Sequence, residues 1–179
     1  MKKLLILLFT PLICLSQGDF RKMNWGDSKE DLKRTYPKAI FEKDNEGELN
    51  ILFQEGNLIG FDVLISYMFS ENELVFGSYL IDPYGYKSSK SRLRDFNEIS
   101  SKLSEKYTLE RDDEWIRDNY KNSPNDLSHA ISIGDVKLVE SGYSGDTKIV
   151  HTLEDGNHFL GYGSAKWVEI KRQEQQDDF

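Results

Sequence analysis

The chain contains three histidines, and two of them, His151 and His158, flank the hairpin signal Asp155-Gly156. Folding about that turn sets Leu153 opposite His158 and His151 opposite Leu160, so both imidazoles fall diagonally on one sheet face. Two imidazoles so placed can begin a metal site. The rest of that face, Ile149, Leu153, Leu160 and Tyr162, offers no third ligand, and the pair reads as partly buried core histidines. Asp112-Asp113-Glu114 is the tightest acidic cluster in the middle of the chain, but consecutive carboxylates do not converge, and calcium loops alternate their ligands around a glycine that is missing here. That triplet reads as solvated surface.

The serines stand in no Gly-x-Ser-x-Gly or Ser-x-x-Lys arrangement, and there is no His-Glu-x-x-His. Gly161-Tyr162-Gly163-Ser164 lies within a strand pattern, not at the strand-to-helix turn a nucleophile elbow needs. Phosphate loops and dinucleotide fingerprints are missing too. A pair of carboxylates for glycoside cleavage needs only proximity of about 5–10 Å in space, which sequence does not display. No catalytic, cofactor-binding or metal-binding residue is therefore assigned, and no cofactor is expected. The candidate partner-contacting residues are Tyr84 and Tyr86, on the loop Asp82-Pro83-Tyr84-Gly85-Tyr86. Trp25 reads as a packing anchor.

The N-terminus supplies an address. Lys2 and Lys3 precede an apolar run over 4–15, and small residues at Cys14 and Ser16 stand where a signal peptidase reads, so 1–16 is expected to be a secretory signal peptide. Twelve residues interrupted by Pro11 fall short of the ~20 that span a bilayer. Ile13 occupies the small-residue position of a lipobox and Pro11 its usual Leu position, which favours cleavage near Ser16 over lipidation of Cys14. Processing would remove the only cysteine and leave 21 basic against 31 acidic residues, with no disulfide to hold the core. The formal charge of the whole chain, −8, argues against nucleic acid or an anionic membrane surface as partner. The short Lys-Lys, Leu-rich leader looks bacterial, so the expected location is the periplasm or the cell exterior.

The elements that would position these residues follow from periodicity. The run 58–81 reads as a long hairpin in which Phe69 faces Leu74, with Phe61, Val63, Ile65, Tyr67, Phe69, Leu74, Phe76 and Leu80 on one buried face. Strands are expected at 39–42 and 49–54, with turns over 43–47 and 55–57. A helix opens after Trp25-Gly26, capped by Asp27 or Ser28 with Asp31 completing a capping box, and stops at Pro37. Residues 91–107 carry the strongest helical stripe, Leu93, Phe96, Ile99, Leu103 and Tyr107, with Arg94, Asp95, Glu98, Lys102 and Glu105 on the polar side. This helix is expected across the hairpin. A polar stretch over 108–124 leads to a short helix ending at Gly134, then strands at 136–143, 147–153 and 158–168 and a fraying tail at 172–179.

The fold class is thus α+β, antiparallel β-meander sheets covered by helices. Residues 17–171 form one domain, divisible into lobes 17–107 and 108–171, whose order of elements suggests a degenerate duplication of a helix-plus-sheet unit. Phe20, the Trp25-Gly26-Asp27-Ser28 turn, Asn72-Glu73-Leu74, Gly77-Ser78-Tyr79 and the helix end Leu103 to Tyr107 resemble a family of exported bacterial proteins with a Trp-Gly-x-Ser helix start. Its helix-plus-meander units are similar to β-lactamase-inhibitor-like and small outer-membrane-assembly lipoprotein domains. The resemblance implies a noncatalytic module that binds another envelope or extracellular protein. The alternative is a small exported hydrolase whose site is assembled only in three dimensions.

Overall fold

The computed structural model describes residues 18–42, 50–85, 87–117, 120–121 and 126–177. The expected signal peptide, the expected turn at 43–47 and Tyr86 lie outside the described residues. Alternating β-branched and aromatic residues build the central hairpin, β3 (Phe61–Ser70) and β4 (Glu73–Ile81), reversing at Glu71-Asn72. Phe69 pairs with Leu74 as expected, but Met68 pairs with Phe76, so Val75 is an extra residue in β4. This bulge corrects the expected face. Phe76 and Leu80 lie beside Met68 and Leu64 on the opposite side, and Gly77, Tyr79 and Ile81 take their places beside Tyr67, Ile65 and Val63.

Upstream, β1 (Ile40–Glu42) pairs with β2 (Asn50–Leu58). β2 runs straight through 55–57, where a turn was expected. The reversal falls instead at Ile59-Gly60, both at positive φ, where the Asn57 side chain accepts a hydrogen bond of 2.8 Å from the Gly60 amide. On the other side of the molecule β7 (Val136–Ser144), β8 (Thr147–Glu154) and β9 (Asn157–Gly163) form a second meander. The two meanders are one sheet, because β9 pairs antiparallel with β4, giving the order β1-β2-β3-β4-β9-β8-β7. The stretch 108–124, read only as polar, adds β5 (Leu109–Arg111) and β6 (Glu114–Trp115), both paired to β7.

One face of this sheet carries the helices that bury it. α1 (Lys29–Thr35) is capped by Ser28, whose hydroxyl accepts from the Asp31 amide while the Asp31 carboxylate accepts from the Ser28 amide, and its Leu32 is fully buried. α2 (Ser89–Ser104) lies across the hairpin as expected and reaches the second half as well: Ile99 and Leu103 join the hairpin core, and Phe96 joins Leu138, Leu153 and the Ala130 and Ile131 of α3 (Leu127–Ser132). Asp95, expected on the polar side, is buried and pairs with Lys87 at 2.7 Å. A carboxylate can stay there because its cation comes with it.

The strand expected over 158–168 ends at Gly163. Residues Ala165–Asp177 form α4, including the part of the tail expected to fray. The Ser164 hydroxyl accepts from the Trp167 amide at 3.2 Å, and the Trp167 ring stacks on Phe76 with centroids 4.6 Å apart. The bulge that turns Phe76 outward thus supplies the docking point for α4. The opposite sheet face owes its cover at this end to that contact. No helix among the described residues is long and apolar enough to cross a membrane.

Candidate functional site

The β8–β9 register places His151 opposite Leu160 and Leu153 opposite His158, as read from the sequence. The β7–β8 register adds what the sequence did not reveal, Glu140 directly opposite His151. The imidazoles touch, Nε2 to Nε2 at 2.9 Å, and His151 Nδ1 lies 3.2 Å from Glu140 Oε2. Ser100, from α2, donates to the same carboxylate oxygen at 2.7 Å. A carboxylate only accepts, so His151 carries its proton on Nδ1 and uses Nε2 as acceptor, which makes His158 the donor through Nε2–H. His158 Nδ1 is then a bare acceptor, and it is the buried atom of this pair with no partner among the described residues.

Chemically, a serine, a histidine and a carboxylate sit together. Their geometry is not that of an acyl-transfer site, since the serine and the imidazole both address one carboxylate and the far imidazole nitrogen is spent on a second histidine. The cluster is also sealed. His151 is 0% exposed and His158 1%, and the Phe96 ring lies flat on His151 with centroids 4.1 Å apart and planes within 8°. Arg111 covers the Phe96 ring at 5.7 Å. Burial, reinforced by the charges of His151, Lys87 and Arg92, pushes the His158 pKa down to about 3. Burial also lowers His151, against the pull of Glu140. Burial works against the Glu140 carboxylate in turn, but hydrogen bonds from His151 and Ser100 outweigh it and hold the carboxyl below its ordinary value.

An open cleft of about 450 Å³ lies elsewhere on the same sheet face, where the N-terminal turn, the end of α2 and the β7–β8 turn surround Tyr79 of β4 and Tyr162 of β9. Its builder is Phe20. This ring lies against Gly77, where any Cβ would come within 2.2 Å of it, and is bracketed by Tyr67, Tyr79 and Tyr162 at 5.2 to 5.6 Å between centroids. Arg21 follows at φ +60, a left-handed backbone that a non-glycine residue adopts at a cost of about 1–3 kcal/mol. The guanidinium is held by the Tyr67 hydroxyl at 3.2 Å and by the Tyr36 ring at 5.0 Å. Lys106 and Tyr107 close the cleft from the turn that follows α2, and Thr147 closes it from β8, tied to the Trp25 indole at 2.9 Å. Burial raises the phenol pKa values of Tyr79 and Tyr162, so both hydroxyls remain protonated.

Of the residues singled out from sequence, Tyr84 is exposed and donates to Glu55 at 2.7 Å, away from this cleft. Trp25 is half-buried at the cleft rim. Asp113 accepts from the Val139 amide and from Arg111, Glu114 pairs with Lys137, and Asp112 is exposed, so the acidic triplet does not converge. Among the described residues no three His, Cys, Asp or Glu side chains are arranged to hold a metal ion. Sequence reading missed the cleft, although glycines inside strand patterns at Gly77, Gly161 and Gly163 mark places where something large approaches the backbone. No family model, curated protein or solved structure matches the chain.

Proposed function

We propose that the protein is an exported, noncatalytic binding module of the bacterial envelope or exterior, and that it receives its ligand in the Tyr79–Tyr162 cleft. One observation carries this reading: the His151–His158 pair, with Glu140 and Ser100 beside it, is locked under Phe96, whereas the open cleft is walled by aromatic rings and two cations. A hydrolase needs its proton-transfer groups within about 2.6–3.2 Å of substrate, and His151 and His158 have no surface to offer one. Among the described residues the cleft carries a single carboxylate, Asp19, and no histidine. Binding modules keep such preformed, amphipathic hollows and need nothing more. The Lys-Lys leader favours export, and with no cysteine after Ser16 the exported core would hold without a disulfide.

The test has two parts. The chain recovered from the native host should begin at Gln17 and be found outside the cytoplasm; a cytoplasmic chain that keeps its leader would defeat the export reading. A photo-crosslinking residue in place of Tyr107 should capture envelope material, and the same residue at exposed Glu98 should not. Equal capture from both positions would remove the cleft from the proposal.

A further inference from the structure

Building on that reading, we infer that the cleft takes a saccharide bearing a carboxylate. Sugars present apolar C–H faces edged by hydroxyl groups, and a tyrosine offers the matching pair, a ring to lie against and a hydroxyl at its rim. Three tyrosines, Tyr79, Tyr107 and Tyr162, converge here, and none of their hydroxyls has a hydrogen-bond partner among the described residues. Each can both donate to and accept from a sugar hydroxyl. The volume of about 450 Å³ lies within the ~300–1,000 Å³ of small-molecule sites.

Charge selects the acidic sugar. Arg21 and Lys106 stand at the cleft and form no salt bridge among the described residues, the carboxylate beside Lys106, Glu105, being paired with Lys102 at 2.8 Å, in a chain of formal charge −8. The one carboxylate that lines the cleft among the described residues, Asp19, accepts a hydrogen bond from the Trp25 amide at 2.9 Å. Arg21 is presented by a strained backbone and braced by Tyr67 and Tyr36, so its position is fixed before a ligand arrives. A planar guanidinium held in place suits a carboxylate.

The test uses the mature chain and the disaccharide of glucuronic acid and N-acetylglucosamine, with N,N′-diacetylchitobiose as the neutral comparison and acetate as an anion without a sugar. The Trp25 indole N–H, bonded to Thr147 at the cleft wall, reports occupancy in a proton–nitrogen correlation spectrum. The acidic disaccharide should move that signal saturably and bind about tenfold or more tightly than the neutral one. Lys106 is exposed, so Lys106→Gln should fold normally and lose about tenfold in affinity. No movement, or the same response to chitobiose or acetate, overturns the ligand assignment and leaves a noncatalytic module with another ligand. Cleavage of the disaccharide would uphold the sugar and overturn the noncatalytic reading instead.

Discussion

Replacing Phe96 by alanine is expected to lower the stability of the fold by about 3–5 kcal/mol and the melting temperature by on the order of 10 °C. Phe96 is fully buried, and it is the α2 side chain that joins the second core cluster of Leu138, Leu153, Ala130 and Ile131. Its removal deletes the ring that lies on His151 and opens a hollow beside two imidazoles. Water can reach such a polar hollow, so part of the loss comes from packing and part from exposing a hydrogen-bonded pair the ring had sealed. Thermal melts by circular dichroism measure the change. A loss below about 1 kcal/mol would mean that α2 does not press on the β7–β8 half of the sheet.

Acidification is the second large effect, and its sign follows from the histidines. In the unfolded chain both imidazoles take up protons below about pH 6.5. In the folded protein His158 refuses one until about pH 3, and His151 is shifted in the same direction. Stability is therefore full above pH 6.5 and falls as the pH drops toward 3, because the unfolded state binds more protons. Between pH 7 and pH 5 His158 alone accounts for about 2 kcal/mol, with His151 adding to it. The carboxylates with lowered pKa values, such as Glu140, begin to matter only below that window. Urea titrations at pH 7 and pH 5 should differ by this amount in wild type. His158→Leu should show a much smaller difference, and Phe96→Ala should also be flattened, since water readmitted to the pocket returns both imidazoles toward ordinary values. Equal pH dependence in wild type and His158→Leu would assign the effect elsewhere.

What could be read from the sequence was local. The hairpin at 61–81, the capped helix at Ser28 and the stripe from Phe96 to Leu103 each announce themselves by period and by terminal residues, and the Asp155-Gly156 turn fixed the His151–His158 diagonal correctly. What escaped depends on partners distant in the chain. A bulge at Val75 has no composition of its own, yet it moves Phe76 and Leu80 to the other face and so decides where α4 docks. The β4–β9 seam joins strands some eighty residues apart, and without it Tyr79 and Tyr162 are unrelated. Glu140 became the partner of His151 only through the β7–β8 register. Phe20 over Gly77 was half visible, as a glycine in a strand and an aromatic residue just before the Trp25-Gly26 turn, but nothing local linked them.

A neutral, sealed imidazole pair is a structural bond, and the proposed binding surface is then the tyrosine cleft. Long-range proton–nitrogen spectra of the histidine rings, followed from pH 7.5 to pH 5 in the folded protein, test this directly. The expected result is His151 protonated at Nδ1, His158 protonated at Nε2, and neither ring acquiring a second proton over that range. Two rings that titrate near pH 6.5 while the protein stays folded would place these groups in contact with solvent and contradict the account.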